Sequence, residues 1–98
     1  MRKTLSSAAK LRELLFQFEK DLGMGDLSWQ ERDILYAFQL AVGDGAPDTV
    51  VHSDTVRSYP TVAQITHSTY HRALKSLLDR GLIRHAPNRK AGAYVLNL

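Results

Sequence analysis

The segment from Thr66 to Tyr94, THSTYHRALKSLLDRGLIRHAPNRKAGAY, constrains the fold more than any other part of the chain. Tyr70, Ala73, Leu74, Leu77 and Leu78 recur at the period of a helix with one buried side. Thr66 stands where an N-cap belongs, and Gly81 stands where a helix ends in a left-handed residue, which predicts a helix over 67–80. Beyond it, Leu82–His85 and Ala91–Leu96 read as antiparallel strands around a short basic loop, Ala86–Lys90. A helix that runs straight into a hairpin forces both elements onto one shared core.

The preceding residues supply the other side of that core. Ser28 followed by Glu31 is a capping box, and Ile34, Leu35, Phe38 and Ala41–Val42 form the buried stripe of a helix that Gly43 ends. Trp29 and Tyr36 are expected to close its edges. GDGAPD over 43–48 reads as a loop and Thr49–His52 as a short strand. Ser53 caps a brief helix over Asp54–Ser58, limited by Pro60, and Val62 and Ile65 reach the core from a turn or short helix. The order is helix, helix, strand, helix, helix, strand, strand, an α+β fold that is mainly α.

Ahead of this unit, Thr4–Asp21 reads as an added N-terminal helix capped by Ser6 or Ser7 and stopped at Gly23. Leu11, Leu14, Leu15, Phe18 and Leu22, with Phe16, make it apolar on more than one side. Two uses are open: covering the core, or pairing with the same helix of a second subunit as a homodimer. Residues 1–27 are therefore a helix, a connector and a candidate dimerisation element, and 28–98 are the main domain.

The net charge of +3 hides a division. Residues 1–56 carry six Lys/Arg against nine Asp/Glu; residues 57–98 carry seven Lys/Arg against Asp79 alone. One-sided basicity points to a polyanion. On a helical wheel Ser68, Arg72, Lys75 and Asp79 lie opposite the apolar side, flanked by Thr69 and Ser76. Hydroxyls and cations are the groups that bond base edges and phosphates, with Arg72 suited to bidentate contact with guanine. Arg89 and Lys90 at the hairpin tip suit a minor groove or flanking phosphates. Arg84, at the base of the hairpin, has two uses: a phosphate, or a local pair with Asp79.

STYHRALKSLLDRGLIRHAPNRKAGAYVL resembles the winged helix-turn-helix transcription regulators, especially the MarR-like group. The matching pieces are the Ser/Thr helix start, exposed Arg72, core Leu74 and Leu77–Leu78, the Gly81-Leu82-Ile83 junction, and Arg89 at the position of the wing arginine. The resemblance covers 28–98 and implies a three-helix core with a β-hairpin wing that binds double-stranded DNA. Helix 67–80 would enter the major groove and wing 86–90 would lie on the minor groove or phosphates. The site residues this implies are Ser68, Thr69, His71, Arg72, Lys75, Arg84, Arg89 and Lys90. The competing reading is a winged-helix protein-interaction module without DNA binding.

His67 and His71 stand four apart on one helix, a chelating spacing, but no carboxylate or cysteine shares their turn, so no metal is expected. The chain has no cysteine and no nucleophile elbow, phosphate loop or paired-carboxylate motif. Neither enzyme activity nor a cofactor is expected. Charges interrupt every apolar stretch after the basic start, so the chain reads as a cytoplasmic protein without membrane contact.

Overall fold

The structure, a computed structural model, describes residues 1–97. Its order is α1 (Arg2–Asp21), α2 (Trp29–Val42), β1 (Val51–His52), α3 (Ser53–Arg57), α4 (Pro60–Ala63), α5 (His67–Asp79), β2 (Ile83–His85) and β3 (Ala93–Leu96). The fold is α+β and mainly helical, and β1, β3 and β2 form one antiparallel sheet in that spatial order. Leu98, the last residue of the 28–98 domain assignment, lies outside the described residues.

The core forms between α2 and α5 and is closed by the sheet and the two short helices. Ile34 and Phe38 of α2, Val56, Val62, Tyr70 and Leu77 are fully buried, and Ile83 and Val95 close the sheet side. Each such side chain contributes roughly 1.5–3 kcal/mol by leaving water. Ile83 pairs with Leu96, Arg84 with Val95 and His85 with Tyr94; Val51 pairs with Tyr94 from the other edge. Phe38 meets Tyr94 edge to face at 6.0 Å, tying α2 to the central strand.

Local chemistry explains most boundaries. Ser28 caps α2 through a complete box: its Oγ accepts from Glu31 N–H at 3.2 Å and its own N–H donates to Glu31 Oε1 at 2.8 Å. Gly81 follows α5 with φ +76°, a conformation that costs a β-carbon-bearing residue about 1 kcal/mol or more. Pro60 does not merely limit the helix before it; it starts α4 at the first turn, where a missing N–H costs nothing.

Several sequence expectations shift. Helix α1 starts at Arg2, so Ser6 and Ser7 lie inside it and cap nothing. Ser53 is the first residue of α3 and not its cap, and its hydroxyl shares a 2.7 Å hydrogen bond with Tyr70 Oη. The loop between β2 and β3 runs from 86 to 92 because Asn88 (φ +58°) and Gly92 (φ +93°) keep the chain out of strand geometry. Trp29 is 51% exposed and closes no core edge. Nor does α1 complete the core: Glu19, 5% exposed, is its one buried residue. Leu11, Leu14, Leu15, Phe18 and Leu22 all face outward, because the interior is already filled by α2, α5 and the sheet.

Candidate functional site

Helix α5 turns Tyr70, Ala73, Leu74 and Leu77 into the core and leaves Ser68, His71, Arg72, Lys75 and Asp79 exposed. Its outward side is bordered by two depressions. On the α2 side, Thr69, Arg72 and Ser76 face Ser28 and Gln30 across a groove of about 380 Å3. On the sheet side, Lys75 and Asp79 share a depression with Arg84 and His85 of β2. The base of the hairpin therefore adjoins the outward ridge of α5. Arg89 and Lys90 are exposed in the β2–β3 loop.

The seven cations of residues 57–98 are not equivalent. Arg57 lies over the Tyr70 ring at 4.4 Å and donates to the Ile65 carbonyl at 3.3 Å, so it belongs to the packing beneath α5. Arg80 is held by Asp26 at 2.8 Å and by Glu31 at 3.3 Å. Lys75 pairs with Asp79 at 3.4 Å, a largely exposed contact worth little in water. That pairing settles the choice left open for Asp79: its partner is Lys75 and not Arg84. Arg72, Arg84, Arg89 and Lys90 make no ion pair among the described residues, and all four are exposed. The unpaired cations of this half thus reduce to these four: Arg72 borders the α2 side of α5, Arg84 lies beside Lys75 on the sheet side, and Arg89 and Lys90 stand in the β2–β3 loop, sharing neither depression.

The start of α5 also differs from expectation. Thr66 occupies the N-cap position, but its hydroxyl donates to Thr69 Oγ1 at 2.9 Å and accepts no backbone N–H. The first-turn amides of α5 consequently lack a side-chain cap. An uncapped helix N-terminus with Ser68 exposed beside it favours an anion through both its N–H groups and its dipole. His71 packs edge to face against His67 at 4.2 Å and against Tyr70 at 5.2 Å, on the flank of α5 rather than on its ridge. No three His, Cys, Asp or Glu gather as a metal site among the described residues.

Glu31 fixes the ridge in space. Its Oε2 accepts from Ser76 Oγ at 2.6 Å and lies 3.3 Å from Arg80 Nε, while Oε1 serves the α2 cap. Burial opposes charge on this carboxyl, but the hydrogen bonds from Ser76 and Ser28 and the Arg80 charge outweigh it and hold the group below its ordinary range. Arg80 in turn lowers Asp26 through their hydrogen bond. Gln30 and His85 enter the surroundings of the ridge without a sequence signal, because only packing brings α2's first turn and β2 beside α5.

Neither a protein-family model, nor a curated protein, nor a solved structure matches this chain. Among the described residues no helix is long and apolar enough to cross a membrane.

Proposed function

We propose that this chain is a winged helix-turn-helix protein that binds double-stranded DNA as a transcription regulator. In this reading α3, α4 and α5 supply the helix-turn-helix with α5 as recognition helix, and the β2–β3 hairpin is the wing. The observation that carries it is the outward ridge of Ser68, Arg72 and Lys75 on α5, adjoined at the hairpin base by Arg84. Arg72 reads a guanine edge in the major groove, and the uncapped first turn with Ser68 and Thr69 holds a phosphate. Arg84 takes a flanking phosphate, and Arg89 and Lys90 reach the minor groove or the backbone. His71, on the flank, has the reach of a water or phosphate contact. The reading is of a cytoplasmic binding protein, and it assigns no reaction.

The test is fluorescence anisotropy with a random duplex pool, followed by selection of the bound sequences. Micromolar or tighter binding that weakens steeply with salt is expected, because Lys and Arg contacts release counterions. Unchanged affinity in an Arg72→Ala, Arg89→Ala double variant would remove the proposed site. The exposed apolar row of α1 favours a second reading, a protein-interaction module. No duplex binding at low salt, together with a protein that co-purifies, would favour it over the first.

A further inference from the structure

Helix α1 is twenty residues long and gives the domain almost nothing. Its one buried side chain is Glu19, which accepts from Tyr36 Oη at 2.7 Å and lies 3.9 Å from Arg32 Nε. From Leu11 onward an apolar row runs along it to its C-cap: Leu11 at 65% exposure, Leu14, Phe18, and Leu22 at 72%, with Leu15 on the edge nearer α2, beside Trp29 and Arg32. Most helical stability in proteins comes from packing of an apolar face, and the apolar face of α1 is unpacked. It is further weakened because Arg2 and Lys3 sit in its first turn, at the positive end of its dipole, with no acid beside them. The helix is thus incomplete as it stands.

The charges along α1 indicate what completes it. Residues 2–12 hold Arg2, Lys3, Lys10 and Arg12 and no acid; residues 13–21 hold Glu13, Glu19 and Asp21 against Lys20. We propose that a second copy of this chain covers the row, with the two α1 helices antiparallel. That arrangement sets the basic half of each helix, with Lys10 and Arg12, against the acidic half of the other. A parallel pair would stack like charge on like charge. Lys10 and Asp21 border the same edge of the row, since eleven residues at about 100° each return to within about 20°. A two-fold axis near Leu14 and Leu15 places Leu11 of one copy over Phe18 of the other and Lys10 within reach of Asp21. Such an interface is self-complementary, as a two-fold dimer requires. An acidic lipid surface fits less well, because the polar side of α1 carries Glu13 and Asp21 among its lysines. The pairing does not depend on whether the protein binds DNA.

Sedimentation equilibrium on the full chain tests the association, with a mass of twice 11.0 kDa expected at tens of micromolar. Leu14→Glu with Phe18→Glu should return it to monomer with unchanged amide-exchange protection in α2 and α5, since neither side chain enters the core. Orientation is read by disulfide trapping, which is clean because the chain has no cysteine. Mixed Leu11→Cys and Phe18→Cys chains should cross-link under oxidation, and Leu11→Cys alone should not. Lys10→Glu should weaken the dimer several-fold and Lys10→Glu with Asp21→Lys should restore it. A monomeric wild-type chain overturns the proposal. So does efficient self-cross-linking of Leu11→Cys, which means a parallel pair, or a chain that stays monomeric and sediments with anionic vesicles through α1.

Discussion

Removing the Glu31 side chain should loosen the α2–α5 junction more than any other single polar change. In Glu31→Ala, Ser28 N–H loses its acceptor, half of the capping box, at a cost of about 0.5–2 kcal/mol. Ser76 loses its 2.6 Å bond to a charged group, about 1.5–3 kcal/mol. Arg80 keeps Asp26, and its 3.3 Å pair with Glu31 is screened by water, so that loss adds little. The carboxylate no longer has to be desolvated, which offsets part of the sum. The net destabilisation is about 2–4 kcal/mol, or a fall in melting temperature of roughly 10–25 °C for a domain of this size. Urea unfolding at a fixed protein concentration measures it.

Acid separates charge from shape in the same experiment. Glu31→Gln keeps the capping geometry and loses only the charge, for about 1 kcal/mol at neutral pH. The folded-state value of Glu31 is depressed below the ordinary 4.5, so its stabilisation is fully present above that value. It is lost as pH falls through the depressed one. The gap between wild type and Glu31→Gln should therefore be constant above about pH 5.5 and close on acidification. A Glu31→Ala protein within about 0.5 kcal/mol of wild type, the scatter of ordinary surface changes, would refute this account. A gap that widens in acid would refute it equally.

Other expectations concern single features of the surface and turns. Arg72→Ala should weaken duplex binding by roughly 5- to 150-fold if Arg72 holds a base, with selection from a random pool relaxing at one position. Arg89→Ala should instead lower the salt slope by about 1 and weaken all duplexes alike, as a phosphate contact does; equal loss of selectivity in both variants would contradict the division of roles. Gly81→Ala meets no side chain within 4 Å and so should cost only its backbone strain, about 1–2 kcal/mol in urea unfolding. Tyr36→Phe removes the donor to Glu19 and should speed amide hydrogen exchange in α1 while leaving α5 unchanged. Equal acceleration in both helices would mean that α1 is part of the core's cooperative unit.

The elements legible in the chain are those that local chemistry specifies. Ser28 with Glu31, Gly43 and Gly81, and the period of Tyr70 to Leu78 fixed where α2 and α5 begin and end and which side of α5 is buried, because caps and periodicity act within a few residues. Thr66 is the N-cap residue of α5, as its position predicts, but its hydroxyl bonds Thr69 Oγ1 at 2.9 Å and no backbone N–H, because a hydroxyl chooses among neighbours by geometry. Which charges are free depends on packing between distant segments. Arg80 and Arg72 look alike in the chain, yet Arg80 is held by Asp26 and Glu31 from distant positions while Arg72 stands in the open groove. Tertiary structure also decided the place of α1, whose apolar row looks as fit for the core as that of α2. A core has finite volume, and once α2, α5 and the sheet fill it, an equally apolar helix is left outside.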